Sequence, residues 1–154
     1  MSRRMMYAAV LAVAVVSGTA WALSNSVISA FRGQLVISNG DLPEGKNDRD
    51  TITKIKGASL KELDGEQKGD VTAWFFHYTA FLSRTGATKL KMEFMKDGKL
   101  SADKQLDGVD PKSSVLTGDI TIDEDEGVTK GKTYTVQLTT SGDQVVAKTT
   151  LTLK

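Results

Sequence analysis

From Val71 to the end, apolar and polar residues alternate with a period of two. Val71–Ser83 is the longest such run, and Trp74, Phe76, Tyr78, Ala80 and Leu82 form its more apolar face. The pattern predicts a long strand. Its odd positions, Val71, Ala73, Phe75, Thr79 and Phe81, are also largely apolar. Phe75 and Phe81 would lie roughly 20 Å apart at about 3.3 Å per residue. That second face needs a cover, a partner, or a bulge that swaps faces midway; the preferred cover is the Asn39–Asp70 segment. Thr88–Met95 alternates cleanly, with Leu90, Met92 and Phe94 against Lys89, Lys91 and Glu93.

Two hairpins follow from pairing apolar faces. A three-residue turn, Lys96-Asp97-Gly98, pairs Phe94 with Leu100 and Met92 with Ala102, with Gly98 left-handed. A tight turn at Ser141-Gly142 pairs Leu138 with Val145, Val136 with Ala147 and Tyr134 with Thr149. Between the hairpins, Leu116, Ile120 and Ile122 mark a strand, with Gly118 in phase.

The first half carries weaker patterns. Gln34–Ser38 is a short strand, and residues 23–33 are a lead-in. Asn39–Asp50 is rich in Asn, Asp, Gly and Pro and reads as loop. Thr51–Ile55 gives at most an irregular strand. Ser59 and Glu62 have capping-box spacing for one helical turn. So long a connection, 39–70, is unusual in a small domain unless it is functional or hides an element.

These elements predict an all-β chain: a single antiparallel β-sandwich of about seven strands over 34–154. The strand order resembles immunoglobulin-like and fibronectin-III-like domains, with Trp74 in the second strand and Tyr134 near the start of the penultimate one. Gly127–Thr135 is similar to the turn into the penultimate strand of exported bacterial immunoglobulin-like proteins. The resemblance implies a core tryptophan and a corner tyrosine. The immunoglobulin disulfide is absent and the 39–70 connection departs from the pattern.

The first 22 residues have leader anatomy. Arg3 and Arg4 precede the apolar Met5–Val16, and Ala20-Trp21-Ala22 has the small-x-small form of a cleavage site. The expectation is a cleavable hydrophobic helix, cut after Ala22, and a secreted or periplasmic bacterial domain. An uncleaved inner-membrane anchor is the alternative, and the only membrane contact then expected. Ser2–Met6 also resembles the twin-arginine export pattern, but Ala8 stands where a lysine is usual.

Without residues 1–22, 18 basic and 19 acidic residues remain, a net of −1. Such a balance gives no pull toward nucleic acid. There is no cysteine, which excludes disulfides, thiolate chemistry and a lipidated leader cysteine. The lone histidine, His77, excludes any site needing two, and no Gly-x-Ser-x-Gly elbow accompanies it. Asp123–Gly127 falls one residue short of a calcium-loop spacing and lacks the later glutamate, so it reads as a solvated turn. Asn39, Asp41, Glu44, Asn47, Asp48 and Asp50 read as turn formers rather than a cation or sugar site. No catalytic residue, metal or cofactor is expected.

The function expected is an exported, non-enzymatic binding module for an envelope or extracellular protein. Phe75, His77 and Phe81 are its candidate partner face. A structural subunit pairing through edges near Gln34–Ser38 or Val145–Leu153 is the first alternative; a hydrolase using carboxylates alone is the last. Oligomeric state is not legible.

Overall fold

The computed structural model describes residues 23–154. The segment expected to be a leader, with Ala20 and Ala22, lies outside the described residues. The fold is mostly β, in two sheets that enclose one core.

Sheet I is built on β4 (Val71–Phe81). Along one edge β4 pairs antiparallel with β7 (Val115–Asp123), from Ala73↔Asp123 to Phe81↔Val115. Along the other edge two short strands lie end to end. β1 (Leu35–Ser38) pairs Leu35↔Ala80 through Ser38↔His77, and β3 (Glu66–Lys68) pairs Glu66↔Ala73 through Lys68↔Val71. Sheet II runs β2 (Glu62–Leu63), β9 (Val145–Leu153), β8 (Lys132–Thr140), β5 (Leu90–Lys96), β6 (Lys99–Leu106). Its β2 is parallel to β9, and its other pairs are antiparallel.

Between the sheets the even face of β4 meets Leu90, Met92 and Phe94 of β5 and Tyr134, Val136 and Leu138 of β8, all buried. Phe94 stands edge-on to Phe76 and to Tyr134, with ring centroids 6.4 Å apart in each pair. Trp74 is fully buried, and its Nε1 donates to the Lys154 carbonyl at 3.1 Å. A Cβ at Gly65 would come within 2.9 Å of that indole, so only glycine lets the chain pass there. The Tyr134 hydroxyl accepts from the Thr129 amide at 2.8 Å, pinning the approach to β8.

The outer face of sheet I carries a second core, to which the 39–70 segment expected to cover it contributes Leu42 and Ile55; the helical form of that cover, and the share the lead-in takes in it, differ from the expectation. The lead-in forms α1 (Asn25–Phe31), and the supposed loop and irregular strand form α2 (Asp48–Ala58). Asn47 caps α2 by accepting from the Asp50 amide at 2.9 Å. Asp48 and Asp50 sit in its first turn and Lys56 in its last, as the helix dipole favours. Its buried stripe is only Thr51 and Ile55, four residues apart. With Val27 and Phe31 of α1, Ile55 closes over Val36, Leu42 and Phe81. The Phe31 and Phe81 rings are 5.1 Å apart.

Both hairpins differ in register from the expectation. Asp97 and Gly98 have φ of 53° and 78° and make a two-residue turn with Lys96 opposite Lys99. A bulge at Ser101 then sets Phe94 opposite Ala102. Turn and bulge are separate devices here, so the face is recovered one step later than the three-residue turn would recover it. At β8–β9, Leu138 pairs with Ala147, Val136 with Thr149 and Tyr134 with Leu151. That is a slip of two residues, which keeps Ala147, Thr149 and Leu151 on the face expected of them, so apolar patterning could not detect it; Val145, beyond a bulge, stands opposite Thr139 and is exposed.

The edges first considered for pairing between chains are occupied. Gly33 and Gln34 meet β9 at Lys148, β2 covers the end of β9, and the Leu60 amide donates to Ile37 of β1. Among the described residues β7 closes sheet I on the side away from β1 and β3, and β6 closes sheet II on the side away from β2. None of the described helices is long and apolar enough to cross a membrane.

Candidate functional site

The odd face of β4 is covered over only part of its length. Thr79 and Phe81 lie beneath the helical layer, whereas Phe75 is 65% exposed, the most exposed large apolar residue described. Phe81 is therefore a core residue, and the proposed face loses it. Phe75 stands where the lateral edge of β4 is also broken. β1 reaches down to His77 and β3 reaches up to Ala73, so neither pairs Phe75. Its cross-strand neighbour on the other side is Thr121 of β7, also exposed.

His77 marks the boundary between the two halves. Its Nδ1 lies 2.9 Å from Asp119 Oδ1 on β7. Its Nε2 is buried without a hydrogen-bond partner, and Asp41 Oδ1 stands 3.7 Å away. The register also aligns Ser38, His77 and Asp119 in one row across three strands. These are the residue types of a nucleophile, a base and its orienter. Ser38 is only 3% exposed, and its hydroxyl donates to the Gly40 carbonyl at 2.7 Å. A serine whose proton is already given to a carbonyl, and which no substrate reaches, is not activated by the neighbouring imidazole. The row works as a polar seam closing the end of the helical cover.

Tyr78, on the inner face beside this row, is almost fully buried. Burial pushes its phenol up to about 12, with the Asp119 charge adding to the rise. Gly118 lies against it: a Cβ there would be 3.0 Å from the Tyr78 ring and hydroxyl.

The two acidic stretches have structural work. Asp123 caps a 3-10 turn, Glu124–Glu126, by accepting from the Asp125 amide, and Glu126 accepts in return from the Asp123 amide. Glu124 accepts from the Thr72 amide at 2.8 Å, and Glu126 also pairs with Lys104 of β6. In the earlier stretch Asn47 caps α2, Asp50 accepts from the Lys46 amide, and Asp48 accepts from the Ser24 hydroxyl. Asp41 is left exposed beside His77. No group of three or more potential metal-ligating side chains occurs among the described residues. A polar depression of about 390 Å³, lined by Arg84, Lys89, Thr140 and Gln144 among others, lies at one end of the sandwich. Arg84 is bonded there to Gln144.

Of the residues singled out from sequence, Phe75 is open, His77 lies at the margin of the cover with its side chain 13% exposed, and Phe81 is buried. Asp119 and Thr121 were missed. Neither carries a motif, and only the β4–β7 register reveals them. No protein-family model matches the chain, and no curated protein matches it.

Proposed function

We propose that this chain is an exported, non-enzymatic binding domain of immunoglobulin-like type, and that it recognises an envelope or extracellular protein through the uncovered half of sheet I. The carrying observation is Phe75, 65% exposed at the middle of the longest strand. Large aromatic side chains are enriched where proteins bind one another. The leader anatomy of residues 1–22 supports export.

The immunoglobulin-like reading draws on strand order. β1, β4 and β7 stand against β9, β8, β5 and β6, an arrangement of first, second and fifth long strands against the rest. That matches a sandwich of this class with its fourth strand moved to the opposite sheet. Buried Trp74 and the Tyr134 hydroxyl bond five residues upstream agree with it. Binding rather than chemistry is favoured because Ser38 is buried and committed to Gly40.

The test is photo-crosslinking in the native host, with a crosslinking residue at position 75 and, separately, at position 148 on the opposite sheet. A discrete envelope or extracellular species captured from 75 and not from 148 is the expected result. Equal capture from both, or none from 75, overturns the reading. N-terminal sequencing of the same material is expected to begin at Leu23; retention of residues 1–22 would make the domain an anchored one.

A further inference from the structure

We infer that the edge of β7 at Asp119 and Thr121 takes an extended, basic segment of the partner protein as an added strand. This rests on the binding reading above and names its partner class.

The peptide groups of β7 decide what the edge offers. The Leu82 amide donates to the Ser114 carbonyl at 2.9 Å, continuing the register that pairs Trp74 with Ile122. Even residues of β4 and β7 therefore bond each other, and odd residues of β7 turn their N–H and C=O groups outward. At the ends of β7 side chains occupy these groups. Ser113 Oγ meets both the amide and the carbonyl of Val115, and Glu126 accepts from the Asp123 amide. At Asp119 and Thr121, in the middle, no described strand pairs the edge. An incoming strand finds two donors and two acceptors there in the spacing that strand addition uses.

Charge selects the strand. Asp119 is at the centre of β7, with its side chain 61% exposed. Asp123 and Glu66 share that outer face, and Asp41 is 92% exposed above His77. Lys68 is the one basic residue on the strands of sheet I, whereas those of sheet II carry Lys91, Lys96, Lys99, Lys104, Lys132 and Lys148. The near-zero net charge thus hides a segregation, with the open edge on the acidic side. A second copy pairing antiparallel about the centre of β7 would set Asp119 opposite Asp119, which opposes pairing. A lysine or arginine in that position is attracted instead. A basic residue opposite Thr121 lies two strand spacings, about 10 Å, from Phe75. Its stem can lie over Thr121 while the charged head meets the face of the ring.

The test uses the full chain, labelled with 15N, and three octapeptides: alternating Thr and Lys, alternating Thr and Glu, and alternating Thr and lysine methylated on its backbone nitrogen. The Thr-Lys peptide is expected to bind and to slow amide exchange at Asp119 and Thr121. The Thr-Glu peptide is expected not to bind. The N-methylated peptide has the same charge but lacks the N–H donors of its lysines, which are the residues that bond β7 when they stand opposite Asp119 and Thr121, so it is expected to bind about tenfold more weakly or not at all. Asp119→Lys is expected to weaken the Thr-Lys peptide by about tenfold, the sum of an attraction lost and a repulsion gained. Equal binding of the two basic peptides would reduce the effect to bulk charge and overturn strand addition. Unchanged affinity in Asp119→Lys would place binding elsewhere and overturn it too. If position 75 captures a partner but the Thr-Lys peptide does not bind, the partner class falls and the binding reading stands. If position 75 captures nothing, the binding reading falls, and this inference with it.

Discussion

Phe75 and Phe81 share one strand and one sequence parity, and truncating each is expected to have opposite consequences. Phe81 has no exposed surface. Its ring packs 5.1 Å from Phe31 and is walled by Val27, Val36, Leu42 and Ile55. Phe81→Ala removes the centre of the second core and leaves a cavity whose walls come from α1, β1, the following loop and α2. Replacing a buried phenylalanine by alanine costs about 3–5 kcal/mol, a large part of the 5–15 kcal/mol typical of a domain. At a few degrees per kcal/mol for a domain of this size, the melting temperature should fall by roughly 10–20 °C. Phe75→Ala removes an exposed ring and should cost under about 1 kcal/mol, mostly lost strand preference. Urea unfolding followed by far-ultraviolet circular dichroism measures both, and capture from a crosslinker at the neighbouring position 121 reads binding. The expected pattern is unfolding without specificity for Phe81→Ala, and lost capture with an intact fold for Phe75→Ala. A Phe75→Ala cost equal to that of Phe81→Ala would mean the outer face is covered along its whole length, and the candidate site would not exist. A Phe81→Ala cost below about 1 kcal/mol would mean the helical layer does not pack as described.

Two further predictions concern the inner side of the same row. Gly118→Ala places a methyl 3.0 Å from the Tyr78 ring, which is buried between the sheets. Overpacking costs about 1–3 kcal/mol and the stiffer unfolded chain returns about 0.4–1, so the variant should be about 1–2 kcal/mol less stable in urea; a more stable variant would show that Tyr78 is loosely held. Tyr78 itself predicts an alkaline limit. With its pKa raised from 10.0 to about 12 by burial and then by Asp119, the folded state holds the phenolic proton more tightly than the unfolded chain. That contribution is complete below pH 10 and is lost as pH rises through 12, about 3 kcal/mol in all. Urea midpoints measured across this window should fall, and should fall less in Tyr78→Phe; identical profiles for the two would refute the assignment.

What the sequence disclosed follows from which physical signals have a period. The strands around Trp74–Leu82 and Leu90–Phe94 were legible because each presents one apolar face at every second residue, and both faces are buried as read. Register was less legible, since Leu138 fits opposite Val145 or Ala147 without changing face. α2 was hidden because its buried stripe is a threonine and an isoleucine. Ile52 and Lys54 imitate alternation, and the capping Asn47 with Asp48 and Asp50 looks like turn composition. Phe75 and His77 could be put on one face from parity alone. Asp119, 42 residues further along, joins His77 only through the pairing of β4 with β7.

The exposure of Phe75 traces to a turn rather than to a missing element. Continued in register, β1 would bring Gly40 opposite Phe75, since Ser38 already stands opposite His77. The strand ends at Ser38, whose hydroxyl donates to the Gly40 carbonyl at 2.7 Å. That local bond competes with continued pairing, as serine side chains do, and turns the chain up toward Leu42 and the second core. The cover ends with it. One turn thus delivers Leu42 to the packing over Phe81 and leaves the middle of β4 bare on its outer face. In a chain without cysteine, that second core adds buried apolar area that no cross-link supplies. The stabilising cover and the open face are two results of the same bend. Ser38→Val, which removes the side-chain bond and favours strand, tests this directly: amide exchange at Phe75 should slow if β1 extends past His77, and unchanged exchange would show that the bend is held by the loop and α2 instead.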